Sequence, residues 1–507
     1  MPRPVSNPLE RDAPITDLTA DALSRAIHGR ELSCREVMQA YLRRIDALNP
    51  LHNALVSLAD PALLLQQADA RDAELARGVS RGWLHGIPQA IKDVAHTEGF
   101  PTTFGSPLHR HAVAAEDGLM ASRMKAAGCI VIGKTNTPEF GLGSHTFNEV
   151  FGPTRNAWDP AVSAGGSSGG AAVALAQRLL PVADGSDFMG SLRNPAAWNH
   201  VFGFRPSQGR VPLWPSLDVW MAQLGTEGPM ARTVRDLSQL LAIQAGPDPR
   251  TPLALREPFA LAAEVSSLRG VRIGWLADLN GHLPLEPGIA DVCGQALRRL
   301  EDAGAIVEPM APPFDPDAVW AAWLVWRRAL VAPRISNLLK MPGAREHIKP
   351  EALWEYEQAQ GTPLMAFIEA SAARSRYFQQ MLEVFEQVDF LALPVAQVWP
   401  FPVEARWPRE IAGRTMDSYH RWMESTIYAT FAGLPAISLP AGFHPNGLWP
   451  TGLQLLGPPR GDAALLQLAA GYEAVSAELL ARHPAIHPKP RWASKHTTLH
   501  PTSCTSD

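Results

Sequence analysis

The chain has 507 residues, 46% of them hydrophobic and 19% charged, with a formal net charge of −5 at pH 7. That composition permits a sizeable core and excludes the basic footprint of a nucleic-acid or anionic-membrane binder. The four cysteines, Cys34, Cys129, Cys293 and Cys504, are scattered with no Cys-x-x-Cys pair, which argues against a disulfide framework and for a reducing compartment.

The opening residues, MPRPVSNPLERDAPITDL, hold no apolar run of the secretory kind, and no later stretch is long and apolar enough to span a bilayer. A cytoplasmic protein is expected. Residues 18–48 read as two helices broken at GRELS, the second opened by the capping box Ser33-x-x-Glu36. LLLQQADARDAELARG is a third helix. HGIPQAIKDV and CIVIGK then read as short strands flanking the helical EDGLMASRMKAAG, which Gly128 stops. This alternation predicts α/β architecture.

Residues 135–233 are rich in glycine, proline and asparagine, and only the alanine-rich stretch 169–180 reads as a helix; so long an irregular region in a compact protein is usually functional. Thr233-x-x-Asp236 caps the next helix. VRIGWL, FLALPV, PAISLPAG and TGLQLLG are strand-like, separated by helical runs at 287–303, 316–341, 363–387 and 462–480. No linker or repeat interrupts the chain. The expected organisation is an N-terminal extension over 1–17, one domain over 18–481, and a poorly ordered polar tail over 482–507.

Residues 165–170, GGSSGG, need a physical reason, because clustered glycine costs backbone entropy. Three chemistries compete. GCIVIGKT at 128–135 matches the phosphate-cradling G-x-x-x-x-G-K-T, which would make the chain a nucleotide-binding protein using Lys134 and Thr135. Its surroundings are wrong: a helix precedes it, its middle is strand-like, and Pro138 prevents a regular helix after it. GGSSG at 165–169 fits a nucleophile elbow with Ser167 at the centre, but the approach TRNAWDPAVSA is polar and broken by proline. The third reading joins Ser167 to Ser191 in GSDFMGSLRNPA and to Lys92 in AIKDV. A lysine serves as base for a serine only when neutral, and burial beside Ala90 and Ile91 would lower its pKa.

The ordered series LHGIPQAIKDVAHTEGFPTTFGS, GCIVIGKTNTPEFGLGS, FGPTRNAWDP, SAGGSSGGAAVALA, GSDFMGSLRNPAAWNHVFGFRPSQGRV, EGPMARTVRDL, FAGLPAISLPAG and TGLQLLG resembles the amidase signature family over residues 18–481. The resemblance implies a mixed twisted β-sheet covered by helices on both faces. It also implies hydrolysis of a C–N acyl bond (an amide, including aryl amides, or a carbamate) with no metal or cofactor. By that resemblance Ser191 is the nucleophile, Ser167 the bridging serine behind a cis peptide at Gly166, and Lys92 the base. The backbone N–H groups of Phe188, Met189, Gly190 and Ser191 form the oxyanion hole. Ser168, Asp187 and Arg193 support the site, the last two through structural hydrogen bonds. The helix after GGSSGG begins near Ser168, aiming its amides at the site.

Four positions depart from the family pattern. Its D-T-G-G-S is D-F-M-G-S here, which puts the bulk of Phe188 and Met189 beside the scissile bond; Ala171 and Arg205 replace its usual serine and lysine. Trp320, Trp323 and Trp326 recur at helical spacing and read as core, with an aromatic substrate pocket as the other option. WPSLDVW and MAQLG, at 214–225, are candidates for the cleft rim. The expected partner is a small-molecule amide or carbamate, not nucleic acid or membrane, bound by a monomer or homodimer. The glutaminase subunit of a tRNA amidotransferase is the alternative within the same chemistry.

Overall fold

The computed structural model describes residues 8–259 and 267–486, so most of the polar tail, with Cys504, lies outside the described residues. The strands in chain order are β1 (Leu55–Val56), β2 (Pro88–Lys92), β3 (Ile130–Thr135), β4 (Val182–Asp187), β5 (Phe202–Arg205), β6 (Thr226–Ala231), β7 (Arg272–Trp275), β8 (Ile306–Pro309), β9 (Phe390–Pro394), β10 (Glu410–Ile411), β11 (Arg414–Thr415), β12 (Ala436–Phe443) and β13 (Pro450–Leu456). Eight form the main sheet, in the order β4-β6-β5-β12-β13-β9-β7-β8. Its β9-β7-β8 edge is parallel and the rest antiparallel, so the sheet is mixed, as expected. β1, β3 and β2 form a separate small sheet.

The main sheet divides two hydrophobic cores, and strand alternation decides which side chain enters which. Along β9, Phe390 and Ala392 join the first core while Leu391 and Leu393 join the second. Along β12 and β13, Ile437, Leu439, Leu453 and Leu455 face the first core, Ala436 and Leu456 the second. Helices Val234–Gln244, Ile289–Asp302 and Asp462–Val475 fill the first side; helices Pro316–Leu338 and Leu364–Phe385 fill the other. A sheet buried on both faces reads as continuous apolar runs rather than alternation, as FLALP and AISLPAG do.

The capping box at Ser33 and the Thr233 cap form as the sequence indicates. Residues 8–16, within the expected extension, are helical, and Arg43 donates to both carboxylate oxygens of Asp12 there, at 2.5 and 2.9 Å. Trp320, Trp323 and Trp326 are 5, 0 and 6% exposed, which makes them core, as read from their spacing. Cys34, Cys129 and Cys293 are buried free thiols. Among the described residues no helix is long and apolar enough to cross a membrane.

β4, β5 and β6 are invisible to strand periodicity. VADGSD carries two aspartates and a glycine, a composition of low β-propensity, and is held in the sheet by tertiary contact alone. The short helix Arg193–Asn199 packs against β5 so closely that a Cβ on Gly203 would collide with the Leu192 carbonyl oxygen and come within 2.7 Å of Ala196 Cβ. Gly203→Ala is expected to cost about 1–3 kcal/mol of stability, read as a lower urea midpoint at unchanged m-value.

Candidate functional site

Lys92 is the last residue of β2 and is 1% exposed. Its backbone N–H donates to Asp184 Oδ2 at 3.0 Å, which anchors the strand end against β4. Its Nζ reaches three hydroxyls: Ser167 Oγ and Ser168 Oγ at 2.8 Å, and Ser186 Oγ at 2.9 Å. No carboxylate among the described residues lies within ion-pair distance of that nitrogen. Burial therefore dominates and brings the ammonium down to about 7, against the opposing pull of Asp184, Asp187 and Glu227.

GGSSGG is a packing device around Ser167 and Ser168. The Gly166–Ser167 peptide is cis. A Cβ on Gly166 would lie 3.0 Å from His145 N, and one on Gly170 would collide with the backbone of Asn136 and Ala54. The Gly166 carbonyl accepts from Ser144 Oγ, which accepts in turn from Asn194 Nδ2 at 2.6 Å. Helix Gly169–Ala176 starts directly after Ser168. The stretch is neither a linker nor an elbow after a strand.

Ser191 is 7% exposed, and its carbonyl oxygen accepts from Ser168 N–H at 3.3 Å. The turn before it is organised by Asp187. Asp187 Oδ1 accepts from Gly190 N–H at 2.9 Å and Oδ2 from Leu192 N–H at 3.2 Å. Arg193 Nε and Nη2 donate to the same two oxygens at 3.0 Å, and Arg205 Nη1 donates to the Asp187 carbonyl at 2.6 Å. Burial works against the carboxylate, but Arg193 and Arg205 outweigh it and hold the acid well below its usual range. Gly190 has φ +82°, and a Cβ there would lie 2.6 Å from Thr426 Cγ2, so only glycine fits. With Gly190 N–H committed to Asp187, the amides of Phe188, Met189 and Ser191 are the expected oxyanion donors that meet no protein acceptor among the described residues.

Ser167, Phe188, Met189 and Ser191 line one cavity of about 950 Å³. Its rim includes Trp214, Leu217 and Met221, from the two segments singled out in the sequence, and its roof is the C-terminal half of helix Pro316–Leu338. Phe188 packs on Trp323, with ring centroids 5.6 Å apart, and under the Arg327 guanidinium at 5.5 Å. Met189 is only 3% exposed and belongs to the second core. The bulk that departs from the family pattern is thus braced against the roof.

All ten residues picked from the sequence meet at this site. Ser186, Asp184 and Glu227 were not legible there. Asp184 and Ser186 share the β4 face toward Lys92, and Glu227 is the cross-strand partner of Ser186 on β6. Assigning β4 as a strand would have exposed them. Burial raises Asp184 to about 6 and, reinforced by the Asp184 charge, Glu227 to about 8.

The nucleotide reading fails on the same geometry. Its glycine-lysine stretch is the fully buried strand β3, preceded by helix Leu119–Ala126, and Lys134 Nζ donates to Ala95 O at 2.6 Å and Thr97 Oγ1 at 2.9 Å. No phosphate can reach it.

Comparison with known proteins agrees with the geometry. The amidase family model matches residues 36–466. The chain belongs to the amidase signature family. It is a hydrolase acting on C–N bonds. Among curated relatives, the A subunit of glutamyl-tRNA(Gln) amidotransferase from Acidothermus cellulolyticus is 34% identical over 491 residues, 92% of this chain and 95% of the relative. That is the alternative set out from the sequence, and sequence similarity favours it. Among solved structures, a bacterial aryl acylamidase of the amidase signature family superposes with a TM-score of 0.84 at 28% identity, covering 93% of this chain and all (100%) of that one. The A subunit of glutamyl-tRNA(Gln) amidotransferase from Thermotoga maritima gives 0.72 at 28% identity, covering 90% and 95%.

In this amidase-signature chain the Asp187–Arg193 pair is fully buried, so removing Arg193 leaves Asp187 with only the more distant Arg205, 3.6 Å away. Arg193→Met is expected to cost about 3–5 kcal/mol and to lower kcat more than it raises KM, because the turn carrying Ser191 loosens. Urea unfolding and steady-state kinetics check the two effects separately.

Proposed function

We propose that this chain hydrolyses amides through an acyl-enzyme on Ser191, with Lys92 as base and Ser167 as relay. The observation that carries the reading is a buried lysine whose nearest partners are hydroxyls rather than carboxylates. Neutral Lys92 Nζ accepts the Ser167 proton while Ser167 Oγ accepts the proton of Ser191. Ser191 Oγ attacks the carbonyl carbon, and the developing oxyanion meets the free amides of Phe188, Met189 and Ser191. On collapse the C–N bond breaks. The proton held on Lys92 returns through Ser167 to the departing nitrogen. Water, deprotonated along the same route, then hydrolyses the ester and restores Ser191.

For the substrate, the cavity of about 950 Å³ and its aromatic wall at Phe188 support a bulky amide such as an anilide, with carbamates as a further class. The higher structural similarity to the aryl acylamidase supports the same class. The amidotransferase relatives support a second reading, in which the chain releases ammonia from glutamine within a larger assembly. A panel of anilides, primary amides, carbamates and L-glutamine separates the two. The purified chain alone is expected to turn over anilides. Ammonia release confined to glutamine, and dependent on added subunits, would establish the second reading.

The mechanism has its own test. Lys92 acts as a base only when deprotonated, so kcat/KM is expected to fall roughly tenfold per pH unit below the Lys92 ionisation at about 7 and to level off above it. Lys92→Met should lose about 10²–10⁴-fold and abolish that limb. A fluorophosphonate label found by peptide mass spectrometry on Ser167 or Ser168 instead of Ser191 would refute the nucleophile assignment.

A further inference from the structure

We infer that the cavity takes amides carrying a carboxylate remote from the scissile bond, and that Arg334 holds that carboxylate. The inference rests on the amide-hydrolase reading and names the substrate class of the same site. Arg327, Leu330 and Arg334 fall on one stripe of helix Pro316–Leu338, and all three line the cavity. Their charges are treated differently. Arg327 is spent within the protein, its Nε on Glu355 Oε1 at 2.6 Å and its Nη2 on Tyr419 Oη at 2.7 Å. Arg193, Arg205 and Arg374 likewise donate to carboxylates, carbonyls or amides. Arg334 donates to no side chain or carbonyl among the described residues and has no carboxylate within ion-pair distance.

What Arg334 touches is aromatic. Its guanidinium carbon lies 4.2 Å from the Phe104 ring centroid and 5.2 Å from that of Phe140. Contact with two ring faces leaves its N–H groups unspent, and an unspent guanidinium fork receives a carboxylate in bidentate fashion. Cations dominate nearby, with Glu116 and Glu139 opposing them. Lys134 and Arg334 both disfavour protonation of His96, and Arg334 disfavours that of His109. The acid that Arg334 feels, Glu139, directs Oε2 to the Lys349 N–H at 2.8 Å. Burial lowers the guanidinium to about 10, so it stays cationic at neutral pH. A half-buried cation with no carboxylate at ion-pair distance is an expensive arrangement that an incoming anion relieves.

The position suits a substrate group. Phe140 precedes Gly141, and a Cβ built on Gly141 would lie 3.6 Å from Ser167 Oγ. Arg334 is therefore one ring and one peptide unit from the reacting hydroxyls, with apolar walls between. An anilide of an aminobenzoate, or the monoanilide of a dicarboxylic acid, places its carboxylate across such a gap.

Two matched pairs test this: 4-acetamidobenzoate against acetanilide, and succinanilic acid against butyranilide. The wild type is expected to favour the acid in at least one pair. In Arg334→Met the acid-to-neutral ratio of kcat/KM for that pair should fall about 10- to 100-fold, mostly through KM, with Arg334→Lys between the two. A ratio that Arg334→Met leaves unmoved in both pairs overturns the inference while leaving amide hydrolysis intact. If the wild type cleaves none of the four, the anilide reading of the proposed function fails instead. Calorimetric binding of 4-acetamidobenzoate to wild type and Arg334→Met then still decides the anion site: equal affinities, or none, overturn it.

Discussion

The proposed chemistry depends on one desolvated amine. Lys92 is a fully enclosed lysine, yet the nearest acid, Asp184, takes its backbone N–H rather than its ammonium. A carboxylate at ion-pair distance would hold the proton on Nζ; hydroxyls give directional partners without a compensating charge. Of the acids that shape the field, burial raises Glu227 to about 8, so at neutral pH it is mostly protonated and its pull on the lysine proton is weakened, while Asp184, raised to about 6, stays largely ionised. The site thus keeps a lysine close to its own ionisation without a metal-like charge beside it.

The second constraint is geometric. Asp187 spends both carboxylate oxygens on the turn that follows it and on Arg193, and spends its carbonyl on Arg205. Arg193 in turn reaches Gln454 Oε1 at 2.9 Å on β13 and Thr430 Oγ1 at 3.1 Å. The loop carrying Ser191 is therefore tied to the centre of the main sheet, while Lys92 comes from the small sheet. Ser168 and the glycines on either side of the serine pair close the distance between them. A loop so heavily bonded can aim backbone amides at a reacting carbonyl without reorganising.

The roof has a divided role. The N-terminal half of helix Pro316–Leu338 is tryptophan-rich core, and its C-terminal half faces the cavity. Arg327, bonded to Glu355 and Tyr419, stiffens the boundary between the halves and carries Phe188 beneath it. The roof of the cavity therefore belongs to an element distant in sequence from the serines and lysine.

Much was legible in the chain itself. Helix caps at Ser33 and Thr233, the apolar strands β9, β12 and β13, and the tryptophan stripe depend on local spacing and the burial of like faces, so sequence alone determined them. Ser167 and Ser191 were marked by motifs whose clustered glycines and small residues no ordinary helix, strand or turn requires, and Lys92 by the apolar residues before it and the family pattern around it. Only the tertiary structure decided the rest. β4 and β6 are strands because neighbours pair with them, not because VADGSD or TEGPMA favours extension, and so the placement of Ser186, Asp184 and Glu227 around the lysine stayed hidden. Whether Arg327 and Arg334 are spent or free depends on which acids the fold brings within reach. The ionisation of Lys92 likewise belongs to its surroundings, since desolvation and distant charges leave no trace in a local string of residues.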